Sequence, residues 1–291
     1  MIRPGTMRPS WSLVVFTVLT QVSVGLHLMR AWFRHAIFEC GPPTEVGTIV
    51  DPIRPAALVI LAIGTAAGML HLGRVGAARF TLSNLKSSWL SRELALVLLF
   101  GAALALFYPV ERMSIGAPAR REILWWVVAS LGLAVVLAIS RVYMIRTVPA
   151  WNSLATPAAF FGTTFLLGAA VLTAMLVLTG GQSYFDLVLR RLSGFVAVMT
   201  VWQLLVTGIH LRRLGRQEGA ARESARLILT TYRGVLAIRL TSLIVGAWIL
   251  ILSTLGDQGS DHAVTIAAAV LLASELIGRY LFYAMHRRVG L

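Results

Sequence analysis

Eight apolar segments, each close to the length needed to cross a bilayer, constrain this chain more than any other feature. They run roughly over residues 11–29, 55–72, 93–109, 123–142, 157–178, 192–211, 234–255 and 263–284. A transmembrane helix needs about 20 apolar residues, and only a helix keeps every backbone group of such a segment bonded inside lipid. The fold class that follows is an all-α integral membrane protein, a bundle of eight transmembrane helices with both termini on the same side. Only 13% of the residues are charged, about half the share of a soluble domain, and no polar stretch is long enough to build an extramembrane domain. Residues 1–291 therefore read as a single transmembrane domain.

The connections carry the expected breakers: Gly41-Pro42-Pro43, Pro109, Pro118, Pro149, Gly180-Gly181 and Gly256. The Arg-rich stretch from Arg212 to Arg233 is expected to form a surface helix or ordered loop. Arg3 and Arg8 before the apolar run from Trp11 have the charge layout of a signal sequence. The run is too long for one, no A-x-A site follows it and no twin-arginine pair precedes it, so an uncleaved first span is expected.

The formal net charge of +14 does not point to nucleic acid, because the arginines sit in short loops between apolar spans, where membrane topology places them. The N-terminus, the even-numbered turns and the tail collect 17 of the 26 Lys and Arg, the opposite loops 8, and Arg239 lies within a span. This bias favours termini in the cytoplasm of a bacterial inner membrane. A basic face recruited to meet membrane lipids or dock an acidic partner subunit produces the same bias without reporting orientation. Cys40 stands alone, so there is no disulfide framework, no iron–sulfur or zinc motif and no CxxCH haem attachment site.

Ionisable residues at membrane depth are costly and mark functional paths. His71 ends the second span and Glu93 begins the third, flanked by Lys86, Trp89 and Arg92. Arg141 and Tyr143 close the fourth span, Trp151 and Asn152 precede the fifth, and His210 ends the sixth. Arg239 sits about one turn into the seventh, and Glu275 and Arg279 lie late in the eighth. All of these fall toward the face holding the termini; Gln21, at mid-membrane, and His27, near the far end of the first span, are the exceptions. Glu275 and Arg279 are spaced i, i+4 on one helix face, with Arg239 at similar depth on the neighbouring helix, which suits a structural ion cluster. The same three residues are alternatively suited to orient a ligand headgroup. For Glu93 the structural alternative is a carboxylate in the first turn of a helix starting near Ser91. Trp125-Trp126 reads as an aromatic belt on the opposite face.

Four strings carry a family resemblance. Phe16-Thr17-Val18-Leu19 with Gln21 and Gly25 resembles the opening of the DMSO reductase membrane-anchor subunits. His71-Leu72-Gly73, followed by Ser88-Trp89-Leu90-Ser91-Arg92-Glu93 at the same separation, is similar to that family, and the second of these is the most specific string. Val148-Pro149-Ala150-Trp151-Asn152-Ser153 resembles a recurrent turn, and Glu275-Leu276-Ile277-Gly278-Arg279-Tyr280 with Phe282-Tyr283 resembles the final span. The wider group includes the polysulfide reductase type of quinol-reactive anchors.

The resemblance implies a haem-free anchor subunit that binds menaquinone or ubiquinone and their quinols. It also implies an iron–sulfur electron-transfer subunit and a molybdopterin catalytic subunit as partners, in anaerobic electron transport. The resemblance assigns quinol binding and oxidation to His71 and Glu93. Arg92, Trp89, Tyr143 and Arg141 complete the expected quinone-binding set. Quinol oxidation releases protons as well as electrons; desolvation favours the neutral form of a carboxyl group, which suits proton exchange near neutrality, and a histidine can relay the second proton. An alternative is the same anchor role in a cytoplasm-facing complex of the sulfite dehydrogenase type that reduces quinone. Two rivals remain. A b-type cytochrome needs facing histidines, and of His71, His210 and His27 the last is on the wrong side. A secondary transporter is expected to show repeats and midplane sites, and no repeat is visible.

Overall fold

The computed structural model describes residues 10–72, 84–113, 118–180, 184–256 and 261–287. Its helices are α1 Trp11–Trp32, α2 Arg34–Phe38, α3 Pro43–Val50, α4 Ile53–Leu72, α5 Trp89–Arg112, α6 Pro118–Tyr143, α7 Ala155–Gly180, α8 Asp186–Gly215, α9 Ala220–Thr230, α10 Arg233–Leu255 and α11 Asp261–Ala284. Eight helices are long and apolar enough to cross a membrane, and no strand occurs among the described residues. The remaining short helices, α2, α3 and α9, lie in the connections.

Most helices overrun their apolar segments by about a turn or less at one or both ends. α8 overruns by more, extending from Asp186 to Gly215, because helix geometry continues into polar flanks such as Arg190, Arg191, Arg212 and Arg213 that sit at headgroup level. Pro109 does not end its helix: α5 runs through it to Arg112. Its missing N–H removes only one bond near the end of the helix, a smaller loss than a proline at the centre would inflict. Pro118 opens α6 and Gly256 caps α10, as their residue types favour. The Arg-rich connection folds as α9, an amphipathic helix that buries Ala221, Ser224, Ala225 and Ile228 and turns Arg222 and Arg226 outward.

α1 and α7 form the centre. α1 packs against α4, α6, α7 and α11, and α7 against α1, α6, α8 and α11, while α10 and α11 pair along their length. The α1–α7 crossing is as close as two helices can come. A Cβ placed on Gly25 would run into the backbone of Thr164 and Gly168, and one on Gly168 into the backbone of Gly25. Small residues bring membrane helices together in this way because lipid offers no hydrophobic drive between them. At one end of the bundle Trp11, opening α1, stacks on Tyr280 near the end of α11 at 5.3 Å. The first and last spans thus bring their outer ends together.

Candidate functional site

At that end of the bundle the polar side chains sort into three groups. The outermost surrounds Trp89. The Ser88 hydroxyl accepts the Ser91 N–H at 3.3 Å, so the helix starts at Trp89 with Ser88 as its cap, not at Ser91. The Arg92 guanidinium donates to the carbonyls of Leu85 (2.9 Å) and Lys86 (2.7 Å). It also lies 4.5 Å from the Trp89 ring centre, with Arg141 on the same ring at 5.8 Å. Trp89, Arg92 and Arg141 therefore form one interfacial stack that fixes the turn before α5.

The second group lies further in. Moving the helix start to Trp89 leaves Glu93 beyond the turn in which a carboxylate satisfies free backbone N–H groups, so capping does not account for it. Glu93 is 4% exposed, and no cation among the described residues acts on it. Its neighbours within electrostatic reach are Tyr143 and Tyr283. The Tyr283 hydroxyl donates to the Tyr143 hydroxyl at 2.8 Å, and the buried Thr17 hydroxyl lies beside Tyr283. Trp151, Phe160 and Phe282 wall this pair, with ring centres 5.6–5.9 Å from Tyr143. Trp151 is itself fixed by donating its indole N–H to the Phe282 carbonyl at 2.8 Å. His71 is the penultimate residue of α4, but its side chain lies outside the described residues, as do residues 73–83 of the connection that follows.

The third group is the ion cluster. Arg239 reaches Glu275 (Nη2 to Oε1, 3.7 Å) and Thr207 (3.1 Å). The other Glu275 oxygen accepts from Thr163 and from Gln203 (3.1 Å). Gly278 makes room for this, since a Cβ there would occupy the place of the Arg239 guanidinium. A cavity of about 70 Å³ opens beside the cluster, lined by Thr207, His210, Arg239, Glu275 and Arg279 among apolar walls. Arg279 turns away from this group toward the centre. It donates to the Gln21 side-chain carbonyl at 2.8 Å and lies over the Phe160 ring at 3.4 Å, while Gln21 donates to the Phe160 carbonyl. Within the expected trio Arg239 makes the ion pair with Glu275, while Arg279 stays within electrostatic reach of both and gives its hydrogen bond to α1.

Glu275→Gln removes the counter-charge of the Arg239 pair while keeping the side chain's shape. Breaking one partner of a buried pair costs about 3–5 kcal/mol. The thermal midpoint of the purified protein in detergent should fall by several degrees, and Glu275→Gln combined with Arg239→Leu should recover part of the loss. An unchanged midpoint would show that the pair contributes nothing.

His27, expected near the far end of the first span as an exception to the one-sided cluster, lies there with polar company the sequence did not single out. At the opposite end His27 stacks on Trp125 at 5.3 Å. Arg30 and Arg54 hold the same ring at 4.7 and 4.9 Å, with Asp51 acting on both arginines. Trp125 is buried at 2% exposure, so it does not belong to an interfacial belt; Trp126, 43% exposed, does. Arg30 and Arg54 read in sequence as ordinary residues at span ends, and only the packing of α1, α4 and α6 buries them.

The fold and site define a class: a polytopic helical subunit with a desolvated carboxylate and a tyrosine pair buried at one end. The chain belongs to the DMSO reductase anchor subunit family, whose profile matches residues 5–285. It is 30% identical to the C subunit of the anaerobic dimethyl sulfoxide reductase of Escherichia coli K12 over 284 residues, covering 97% of this protein and 96% of that one. It is 28% identical to the Haemophilus influenzae Rd protein of the same name over 285 residues, covering 96% and 95%. It is also 27% identical to the anaerobic dimethyl sulfoxide reductase subunit YnfH of Escherichia coli K12 over 293 residues, covering 97% and 96%. Family and span count together make it a multi-pass protein of the bacterial inner membrane and a membrane-anchor subunit of the DMSO reductase type.

Proposed function

We propose that this protein is the haem-free, quinol-reactive anchor of a molybdopterin oxidoreductase. In this reading it takes menaquinol or ubiquinol from the membrane and passes the electrons to an iron–sulfur partner subunit. The observation that carries the reading is Glu93: a carboxyl group that no cation among the described residues compensates is retained at 4% exposure within electrostatic reach of two tyrosine hydroxyls. Uncompensated desolvation of this kind is expensive and recurs where a group must give and take protons. Glu93 is the base for the quinol proton and Tyr143 the donor to a quinone oxygen. Trp89, Arg92 and Arg141 form the headgroup-level rim, and His71, ending the adjacent helix, serves the other quinol oxygen. Arg239 and Glu275 are the structural ion pair.

A b-type haem needs two histidines facing each other across helices, and His27 and His210 lie at opposite ends of the bundle, so that pair is not a haem ligand set. In the haem-free reading a partner subunit collects the electrons. The exposed arginines at the Glu93 end, including Arg141, Arg212, Arg213, Arg222 and Arg226, offer an acidic iron–sulfur subunit a docking face. That surface explains the charge bias without fixing which compartment it faces.

Affinity purification of the tagged protein from its native membranes tests the assembly. Stoichiometric iron–sulfur and molybdopterin subunits are expected, together with quenching of a fluorescent hydroxyquinoline-type quinol analogue at a single site. A protein that purifies alone and leaves the analogue's fluorescence unchanged would overturn the proposal.

A further inference from the structure

Around the cavity of about 70 Å³ between α7, α8, α10 and α11 stand two guanidinium groups and one carboxylate, Arg239 and Arg279 against Glu275. All three are buried, and among the described residues Glu275 is the one carboxylate that acts on Arg279. One positive charge is therefore left over at membrane depth, where an uncompensated charge is costly. Hydrogen bonding is incomplete in the same place. Arg239 gives Nη1 to Thr207 and Nη2 to Glu275, and Arg279 gives Nη2 to Gln21. The Nε of each arginine and the Nδ1 of His210 are buried without a partner among the described residues, and all three side chains line the cavity. Buried polar atoms are rarely left unmet, and a bound ion or water is the common remedy. The cavity has room for either, since one water needs about 10–15 Å³. Water meets the donors and leaves the charge; an oxyanion meets both.

We propose that this cavity binds a single phosphate group between Arg239 and Arg279. Guanidinium groups are the side chains best matched to phosphate oxygens, and a phosphodiester carries one negative charge, equal to the excess. The setting suits a membrane phospholipid as the source. Arg239 lies six residues after Arg233, which opens α10, so it sits about 9 Å inside the start of that helix. Val206 and Leu211 on α8 and Leu236 on α10 line the cavity and are half-buried, which gives it an apolar way out between these helices. An anionic phospholipid places its phosphate on the arginines and its chains along that way out; basic pockets between membrane helices take anionic headgroups in this manner. Free phosphate offers the same group from the water. Glu275 limits the affinity, because it repels the phosphate oxygens while holding Arg239 in place. The site is distinct from the group around Glu93 and stands whether or not the protein reacts with quinol.

The test uses the full-length protein, purified and delipidated in a neutral detergent. It is titrated with dioleoylphosphatidylglycerol, dioleoylphosphatidylcholine or inorganic phosphate at fixed ionic strength, and the thermal midpoint is followed, since a ligand of the native state raises it. Phosphatidylglycerol should raise the midpoint saturably by several degrees and stay bound as one copy per chain in native mass spectrometry. Phosphatidylcholine should bind about tenfold more weakly or worse, because its choline brings a cation toward the arginines. A rise with inorganic phosphate as well shows that the group alone suffices; a rise with the lipid alone shows that the chains deliver it. Ala159→Leu fills the cavity from α7 with every charge in place and should abolish both responses. Glu275→Gln should start from a lower midpoint yet bind several-fold more tightly, a change that a purely structural ion pair does not produce. If Ala159→Leu does not accumulate, Arg239→Gln combined with Glu275→Gln, which leaves neither partner charged, should lose the retained lipid in its place. No response to either phosphate or phosphatidylglycerol, equal binding of phosphatidylcholine, wild-type responses in the cavity variant or its substitute, or weaker binding in Glu275→Gln would each overturn the proposal.

Discussion

Replacing Glu93 by Gln should leave the protein folded and assembled while cutting quinol turnover by at least about a hundredfold, the low end of what a positioned base contributes. The stability half follows from burial. The carboxylate is desolvated and no described cation offsets it, so an isosteric neutral amide relieves a cost and breaks no ion pair among the described residues. The activity half follows from chemistry, since an amide keeps a hydrogen-bonding oxygen but has no basic site to take the quinol proton. Binding and turnover should therefore separate. The quinol analogue should bind Glu93→Gln within a few fold of wild type, whereas electron delivery to the partner subunits fails. Steady-state oxidation of a naphthoquinol by the purified complex, alongside fluorescence titration, measures both. Turnover within twofold of wild type would remove Glu93 from the mechanism. A loss of binding equal to the loss of turnover would make it a ligand contact and not a base.

The spans were legible because lipid leaves a segment of that length and apolarity no other structure. Their ends were less so, since nothing in the hydrocarbon argument says where a helix stops once it reaches water; α8 continues through charged flanks on both sides. Within the site, Glu93 and Tyr143 stood out because a polar residue at the edge of an apolar run is conspicuous. Tyr283 did not, because a tyrosine near the end of a span has an ordinary interfacial explanation, and its partner lies 140 positions away. The Arg279–Gln21 bond spans 258 positions, so the i, i+4 spacing that put Arg279 beside Glu275 described the helix face, while the hydrogen-bond partner on α1 was out of its reach. Trp125 and Trp126 make the limit plainest. They are adjacent and identical, and a rotation of about 100° around the helix buries one under two arginines and exposes the other. Sequence supplies the depth of a side chain in the membrane; which neighbour it meets depends on how the helices are rotated and paired.

Enlarging Gly168 should be the most damaging single change in the transmembrane core. α1 carries Thr17 and Gln21 to the functional end, and α7 carries Phe160, whose carbonyl holds Gln21 at 3.2 Å. The register between these two helices is set at the Gly25–Gly168 crossing, where each glycine faces the other's backbone. Backbone cannot move aside as a flexible side chain can, so Gly168→Leu must push the helices apart. That separation breaks the Gln21 contacts and, through Gln21, the hold on Arg279. Overpacking a well-fitted interior costs about 1–3 kcal/mol where side chains can adjust, and more is expected where they cannot. The protein should fail to accumulate in membranes as read by a C-terminal fluorescent fusion. Gly168→Ala should accumulate poorly, with a lowered thermal midpoint in detergent. Gly208→Ala on α8 provides the contrast, because a Cβ there meets nothing within 4 Å and alanine favours the helix by up to about 1 kcal/mol; it should be neutral or slightly stabilising. Equal behaviour of Gly168→Ala and Gly208→Ala would mean that the α1–α7 contact is not what holds the two halves of the site in register.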